Sequence, residues 1–256
     1  MGSPCPTKMK IYSGIEIIES YPAIYIEDLE AIVIADLHLG YEGIMAEKGI
    51  FIPKTQFKRE MGMLLEIFEK RKARRVIING DIKHEFSETS YHEFKEVRDT
   101  LAFLKNKCEE VILIKGNHDN YIARVANRFG VKLYEEFELG DYHFLHGHRT
   151  PLALKAKYLI IAHEHPAITL YDEVGSREKL SCLLYGDCEY AGVSKKIAVL
   201  PAFSTLAMGS EVNLIPPQEL LSPILREIDV ERLRVMGISP DLGCLDFQEL
   251  GGLRFI

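Results

Sequence analysis

The chain lacks the features that mark membrane-spanning, secreted and DNA-coating proteins. No apolar stretch in its 256 residues approaches the ~18 residues that a membrane-spanning helix needs. Its first ten residues hold no apolar segment behind their lysines, so they do not resemble a secretory signal, and we expect a cytoplasmic protein. Positive charge is also scarce, since 31 Lys and Arg face 38 Asp and Glu, a net charge of −7. This balance argues against non-specific coating of duplex DNA, which depends on many Lys and Arg contacts to phosphate.

Cysteine is scarce and scattered, and no Cys-x-x-Cys pair is present. The five cysteines are Cys5, Cys108, Cys182, Cys188 and Cys244. We expect reduced thiols that mostly pack in the interior, because bridging is unusual in a chain of this kind. A pairing between Cys182 and Cys188 stays open at this point. Length and composition otherwise suit a globular protein of one large domain or two small ones.

The first half of the chain alternates between short apolar runs and amphipathic segments. Three runs are typical of strands buried on both faces, at residues 31–34, 75–78 and 111–114. Between them, apolar residues recur at helical spacing, first from Phe57 to Phe68 and then from Phe94 to Leu104. This alternation predicts βαβ units and a largely parallel sheet. A third helix is expected from about Asn120 to Phe129, ending at Gly130.

The second half contains short β-prone runs separated by glycine-containing turns, a pattern that indicates antiparallel or mixed strands. The runs lie at residues 132–134, 142–145, 158–162, 168–173, 181–185 and 196–200. The segment after Pro216 reads as a loop-rich tail, with a last strand in the apolar run that ends at Phe255 and Ile256. No linker is long or polar enough to mark a boundary, so we predict a single domain over residues 1–256, built around two sheets.

Polar residues follow five of the predicted strands at the point where each strand ends. The segments are Asp36-Leu37-His38, Asn79-Gly80-Asp81, Gly116-Asn117-His118-Asp119, His146-Gly147-His148 and His163-Glu164-His165. Functional groups gather at the carboxyl ends of strands in open α/β sheets, so these five strand ends can converge on one site. Asp, Asn and His are also metal-ligand residue types.

Each segment has a simpler interpretation when it is taken alone. Asp36-x-His38 is commonly a cap or a turn, Gly80-Asp81 is commonly a turn, and Asp119 or Asn120 could cap a following helix. Turn chemistry does not account for five such segments at five strand ends. We therefore predict that they share a metal site.

The ordered set of motifs resembles the calcineurin-like metallophosphoesterases. It runs from Asp36 to His165, about half of the chain, and the segment from Ala35 to Gly40 is most similar to the branch that contains the bacterial double-strand-break nuclease SbcD and the ligase-associated phosphoesterases. The resemblance implies an α/β fold, a four-layer sandwich of two mixed β-sheets flanked by helices. It also implies a dimetal site at the C-terminal ends of the strands.

The resemblance implies a role for each motif residue. The ligands of the first metal ion would be Asp36, His38 and His165. The ligands of the second ion would be Asn117, His146 and His163, with Asp81 as the bridge between the two ions. The residues with implied catalytic roles are His118, which would act at the phosphate and the leaving group, and Asp119, which would orient it.

Two positions depart from the family's pattern. His84 stands where an acid is common in the second motif, and Ala162 replaces the glycine that usually begins the last motif, a change that a negative φ would tolerate. The candidates for contact with the substrate phosphate are His84, His148 and Arg149.

Two divalent ions offset the charge of a phosphodiester and lower the pKa of a bound water, which allows hydrolysis by a metal-activated hydroxide. Imidazole ligands favour Mn, Fe, Zn or Ni over Mg or Ca, and we expect Mn. The sequence therefore predicts a phosphodiesterase, with nucleotides and DNA among the candidate substrates and no membrane partner. A phosphomonoesterase or protein phosphatase is the alternative. A non-catalytic scaffold is disfavoured, because none of the seven ligand positions is altered. The oligomeric state stays open, and a homodimer is compatible with the sequence.

The largest basic cluster also has two interpretations. Lys70, Arg71 and Lys72, followed by Arg74 and Arg75, could contact nucleic acid. They lie at a predicted helix end, however, where cations complement the helix dipole, so a structural role is favoured.

Overall fold

The computed structural model describes residues 9–86, 91–172, 174–207, 209–239 and 243–254. Within these ranges, sixteen strands form two mixed β-sheets that pack face to face, with helices on the outer sides. The predicted α/β sandwich of two mixed sheets is therefore confirmed. None of the described helices is long and apolar enough to cross a membrane.

The first sheet consists of strands β1 to β7 in spatial order. Their bounds are β1 (Met9–Tyr12), β2 (Ile15–Ile17), β3 (Ile24–Ile26), β4 (Ala31–Ile34), β5 (Arg75–Asn79), β6 (Glu110–Ile114) and β7 (Lys132–Tyr134). Strands β4 to β7 are parallel, as the βαβ pattern predicts, whereas β1 to β4 are antiparallel. Strands β1, β2 and β3 are absent from the sequence-based prediction, because runs of three or four residues between turns carry little periodicity.

The second sheet has the order β14-β11-β12-β13-β10-β9-β8, with β15 paired to β12 and β16 paired to β15. Its strands are β8 (Glu136–Leu139), β9 (Tyr142–Leu145), β10 (Tyr158–Ile161), β11 (Pro166–Tyr171), β12 (Arg177–Tyr190), β13 (Val193–Val199), β14 (Ser210–Glu211), β15 (Arg234–Ser239) and β16 (Gly243–Glu249). Strand β12 spans fourteen residues and pairs with β11, β13 and β15 along its length.

Helices cover the outer faces unequally. The helices are α1 (Tyr41–Glu47), α2 (Gln56–Lys70), α3 (Tyr91–Lys107), α4 (Ala123–Arg128) and α5 (Pro223–Glu227). Helices α2 and α3 match the two predicted amphipathic segments, and α4 ends just before Gly130 as expected. The outer face of the second sheet carries only α5 and short 3₁₀ turns among the described residues, so the fourth layer is thin.

Alternation along the strands separates three apolar clusters. In β5, Ile77 points into the cluster between the two sheets, whereas Val76 and Ile78 point into the cluster under α2 and α3. A third cluster lies between the second sheet and α5. Both faces of the central strands are therefore buried, which explains their continuous apolar runs.

One expectation about the second half is wrong, because the segment after Pro216 contains the paired strands β15 and β16. The last strand was expected in the apolar run that ends at Phe255 and Ile256, two residues that lie outside the described ones, and Leu250–Leu253 just before it forms a 3₁₀ turn. The open pairing of Cys182 with Cys188 is also excluded, because both thiols are free and lie six residues apart on β12, about 20 Å along an extended strand.

Asn79, the last residue of β5, joins the two sheets directly beside the predicted site. Its buried Nδ2 donates to the carbonyl oxygens of Leu145 at 3.0 Å and Ile160 at 3.1 Å, both in the second sheet. These hydrogen bonds hold the ends of β5, β9 and β10 together. The sheet edge that carries the polar loops is thus fixed from both layers.

Candidate metal centre

The loops that follow β4, β5, β6, β9 and β10 meet at one edge of the sandwich and bring the predicted ligands together. Several of these ligands have a left-handed backbone, with φ of 55° at Asp36, 47° at His38, 51° at Asp81, 70° at His163 and 46° at His165. Such values are uncommon for residues other than glycine and concentrate at functional sites. Ala162 is not among the positive-φ residues, so its substitution for glycine is sterically tolerated.

The first ligand group consists of Asp36, His38 and His165. The Nε2 atoms of His38 and His165 lie 3.2 Å apart, and Oδ1 of Asp36 lies 3.3 Å from Nε2 of His165. Ligand atoms of all three residues fall within 4.8 Å of one another. Oδ1 of Asp36 is buried and accepts no hydrogen bond. A buried carboxylate oxygen without a donor calls for an explanation, and binding of a cation would supply one.

The second ligand group consists of Asp81, His146 and His163, whose ligand atoms also lie within 4.8 Å of one another. Nε2 of His146 is 3.1 Å from Oδ2 of Asp81 and 3.1 Å from Oδ1 of Asn117. All seven predicted ligands are therefore placed in two adjoining groups, with Asn117 beside the second.

Hydrogen bonds orient two of the imidazole rings. Nδ1 of His146 lies 3.0 Å from the carbonyl oxygen of Asn79, and Nδ1 of His118 contacts the carbonyl oxygen of His84. A carbonyl only accepts, so Nδ1 carries the proton in both rings. In the neutral ring this leaves Nε2 of His146 with a free lone pair toward Asp81 and Asn117, as a metal ligand needs.

The pKa values of the histidines in the cluster are shifted in different directions. Burial opposes the charged form of His146, but the carboxylates of Asp81 and Asp36 raise its pKa to about 9. Burial lowers the pKa of His38 to about 3 and that of His163 to about 4. Burial alone would raise the pKa of Asp36 and Asp81, yet the neighbouring histidines lower both. Burial also opposes the charged form of His165, but the carboxylate of Asp36 raises its pKa. The carboxylates are thus held ionised beside His146 and His165, whereas burial favours the neutral form of His38 and His163.

This donor set fits two divalent transition-metal ions. Nitrogens that share one ion at ~2.0–2.1 Å are held about 3 Å apart, which is close to the 3.2 Å between the two Nε2 atoms of the first group. Four imidazoles, two carboxylates and one amide oxygen suit Mn, Fe, Zn or Ni better than Ca.

Asp119 does not orient His118 as expected. Its buried carboxylate accepts backbone N–H hydrogen bonds from Asp81 at 2.8 Å and Gly116 at 2.9 Å through Oδ2, and from Ile82 at 3.0 Å and Lys83 at 3.4 Å through Oδ1. These bonds tie the loop after β5 to the loop after β6. Asp119 is thus placed to position the backbone of Asp81, and the contact to His118 comes from His84.

The three candidates for substrate contact are placed differently. The ring of His84 lies 5.4 Å from that of His38 and 5.6 Å from that of His118, and the ring of His148 lies 5.3 Å from that of His146. Burial lowers the pKa of both His84 and His148 to about 4. The exposed Arg149 instead pairs with Glu135, so its charge is already neutralised at the surface.

Supporting residues on α2 were not predicted from the sequence. Nε2 of Gln56 lies within 3.3 Å of the carbonyl oxygens of Leu37 and His38 and 2.8 Å from Oε1 of Glu60. Glu60 also accepts from the backbone N–H of Thr205 at 3.2 Å. Two buried polar residues four apart on an otherwise apolar helix face are the one signal that could have revealed them.

Gly116 lies against the carboxylate of Asp81, and we expect Gly116→Ala to weaken metal binding and turnover by about 10- to 100-fold, as loss of the contacts that orient metal ligands typically does. A Cβ at this position would lie 2.0 Å from Oδ1 and 2.4 Å from the backbone nitrogen of Asp81. Metal content and initial rates measure the effect.

Gly192→Ala is the matched control for this substitution. Gly192 has a φ of 73° in the turn between β12 and β13, and a Cβ added there would meet no described atom within 4 Å. The control should cost stability through backbone strain but leave metal content intact. Equal metal content in wild type and Gly116→Ala would contradict the assignment of Asp81.

The basic cluster at the end of α2 is paired with acids. Lys70 pairs with Glu19, Arg71 with Glu16, Arg74 with Glu109 and Arg75 with Glu110. These contacts agree with the structural role favoured by the sequence and leave little free charge for phosphate there.

The chain was compared with solved structures and with proteins that carry a curated description. The chain is similar in fold to the nuclease MPE of Pseudomonas putida, with 19% identity, 88% of this chain and 92% of that chain covered, and a TM-score of 0.61. The phosphoesterase YfcE of E. coli has 15% identity, covers 83% of this chain and 90% of its own, and has a TM-score of 0.38. No protein with a curated description matches the chain in sequence.

A family model described as calcineurin-like phosphoesterase matches residues 30–191, which include every predicted ligand. Members of this family use a dinuclear metal centre. The matched segment covers more than half of the chain, and the chain belongs to the calcineurin-like phosphoesterase family.

Proposed function

We propose that this protein hydrolyses phosphodiesters at a centre of two divalent ions, with Mn as the working metal and nucleotides or nucleic acid as the candidate substrate class. The position of Asp81 carries the proposal. Its Oδ2 lies 3.1 Å from Nε2 of His146 and 3.9 Å from Nε2 of His118, and its Oδ1 accepts the backbone N–H of His118 at 2.8 Å. One carboxylate thus adjoins both the second ligand group and the candidate acid.

The proposed roles divide among few residues. Two ions held by the seven ligands would supply Lewis acidity and an activated water as the nucleophile. Asp81 would be the shared ligand: its Oδ2 lies beside Nε2 of His146, while its Oδ1 accepts the backbone N–H of His118. His118 holds a proton on Nδ1 against the carbonyl of His84, so its Nε2 is the atom that can donate to a leaving oxygen when the ring is protonated. Its alternative role is to stabilise charge on the phosphoryl oxygens.

A cavity beside His165 favours a diester over a monoester. Its volume is about 1090 Å³, and its lining includes Arg59, Met63, Phe203, Ser204 and Thr205. This space is within the range of a substrate pocket and could receive the second ester group, which a monoester does not have. The fold shared with a nuclease is a reason to include nucleic acid among the substrates tested.

The test measures metal content together with hydrolysis of bis(p-nitrophenyl) phosphate and p-nitrophenyl phosphate. We expect two Mn per chain and diester turnover that a chelator abolishes and Mn restores. A rate ratio that favours the monoester would support the phosphatase alternative. Absence of bound metal after incubation with Mn or Zn would contradict the proposal and support a scaffold.

A further inference from the structure

Phe86 is a large apolar residue that the fold does not bury. Its side chain follows the loop after β5, is 53% exposed, and belongs to none of the apolar clusters among the described residues. Its ring instead lies over the imidazole of His118, with centroids 3.7 Å apart and planes tilted by 31°. One face of Phe86 is therefore covered by the candidate acid, while about half of the side chain stays exposed.

Two contacts fix Phe86 in this position. Its carbonyl oxygen accepts from Nδ2 of Asn120 at 3.1 Å, and its N–H donates to Oε1 of Glu85 at 3.0 Å. The backbone N–H of Glu85 in turn donates to Oε1 of Glu93 on α3 at 2.7 Å. The ring is thus anchored to the loop after β6 and to α3, so little ordering is needed when a ligand binds.

Other exposed aromatic rings flank the same segment. Tyr121 adjoins Asn120, is 66% exposed and has a φ of 65°, a strained value for an aromatic residue. Tyr91 begins α3 two residues before Glu93 and is 77% exposed. Exposed aromatic faces beside a phosphate site are the usual means of binding nucleobases without sequence preference.

We propose that the outer face of Phe86 is a stacking platform for a nucleobase attached to the phosphoester. The inference rests on the proposed function, because it places a phosphate at the metal centre. His118 links the two sites, since its ring contacts Phe86 at 3.7 Å and its Nε2 lies 3.9 Å from the bridging carboxylate. The Phe86 ring and the carboxylate of Asp81 therefore adjoin the same residue.

The test compares two phosphonates that cannot be hydrolysed, the phosphonate analogue of thymidine 5′-phosphate and the same sugar phosphonate without the base. Calorimetric titration of the Mn-loaded protein gives both dissociation constants. We expect wild type to prefer the base-bearing ligand by about 5-fold or more, within the range for base–aromatic stacking. Phe86→Leu should bring the preference close to one, and Phe86→Trp should preserve it.

Tyr171→Leu is the matched control, because Tyr171 is an exposed aromatic residue at the far end of β11. It should leave the preference unchanged. The proposal that Phe86 binds a nucleobase is refuted if wild type binds both ligands equally well or binds neither. It is also refuted if Phe86→Leu still prefers the base-bearing ligand. Turnover of methyl p-nitrophenyl phosphate is measured in parallel. Its absence in wild type counts against the proposed function, whereas turnover without base preference counts against Phe86 alone.

Discussion

Asp81→Asn is expected to lower diester turnover by about three orders of magnitude or more, because two-metal catalysis contributes several kcal/mol and each 1.4 kcal/mol changes the rate tenfold. The asparagine side chain keeps one oxygen that can accept the backbone N–H of His118, which donates to Oδ1 of Asp81 at 2.8 Å in the wild type. It loses the second anionic oxygen, which lies 3.1 Å from Nε2 of His146. The measurements are initial rates with saturating Mn and metal content by elemental analysis.

The matched control for this substitution is Asp187→Asn. Asp187 is an exposed residue of β12 that pairs only with Lys196 among the described salt bridges. We expect its rates and metal content to match those of wild type, whereas Asp81→Asn should lose close to one of two ions. Equal turnover by wild type and Asp81→Asn would refute the bridging role and the proposed mechanism with it.

His118→Ala is expected to reduce turnover by about 10²- to 10⁴-fold if His118 is the general acid. Proton donation matters most when the leaving group is a poor one, so the loss should be larger for an alkyl leaving group than for p-nitrophenolate. A charge-stabilising role at the phosphoryl oxygens predicts a similar loss for both. Rates with a dinucleotide and with bis(p-nitrophenyl) phosphate separate these roles.

His92→Ala provides the comparison for His118→Ala. His92 is an exposed histidine on α3 and is not among the residues of the candidate metal groups. Its removal should change neither rate. If His118→Ala retains full turnover of both substrates, then His118 is only a structural residue of its turn.

The central strands are a part of the fold that the local sequence pattern predicts well. Strands β4, β5 and β6 are buried on both faces, and their continuous runs of Ile, Val and Leu predict them directly. The intervening helices are predicted equally well, because one face of each packs on the sheet and imposes a period near 3.6 residues. Parallel pairing of β4 to β7 follows from this alternation.

Other parts of the fold depend on pairing between distant segments. Strand β15 forms against β12, some fifty residues earlier in the chain, and β16 forms against β15, so their own sequence reads as a loop-rich tail. The long β12 links two parts of the second sheet, and the local pattern predicts only residues 181–185 of its fourteen. In these segments, burial against a distant strand decides the conformation rather than intrinsic propensity.

The sequence by itself determined which chemical groups could form the site. Ligand-type residues stand at the ends of five strands, and the carboxyl ends of neighbouring parallel strands lie at one edge of a sheet. The types and spacing of Asp, Asn and His therefore indicate a metal site without any knowledge of the packing between the sheets.

Only the tertiary structure decided how those groups face one another. Asp36, His38 and Asp81 have a left-handed backbone, and hydrogen bonds from the N–H groups of Asp36 and His38 to the loop after β5 hold the two loops together. Asp119 is committed to backbone N–H groups, and the carbonyl of His84 instead contacts His118. Hydrogen-bond partners and ring contacts between separate loops depend on angles and distances set by the packed sheets, which a pattern of residue types does not contain.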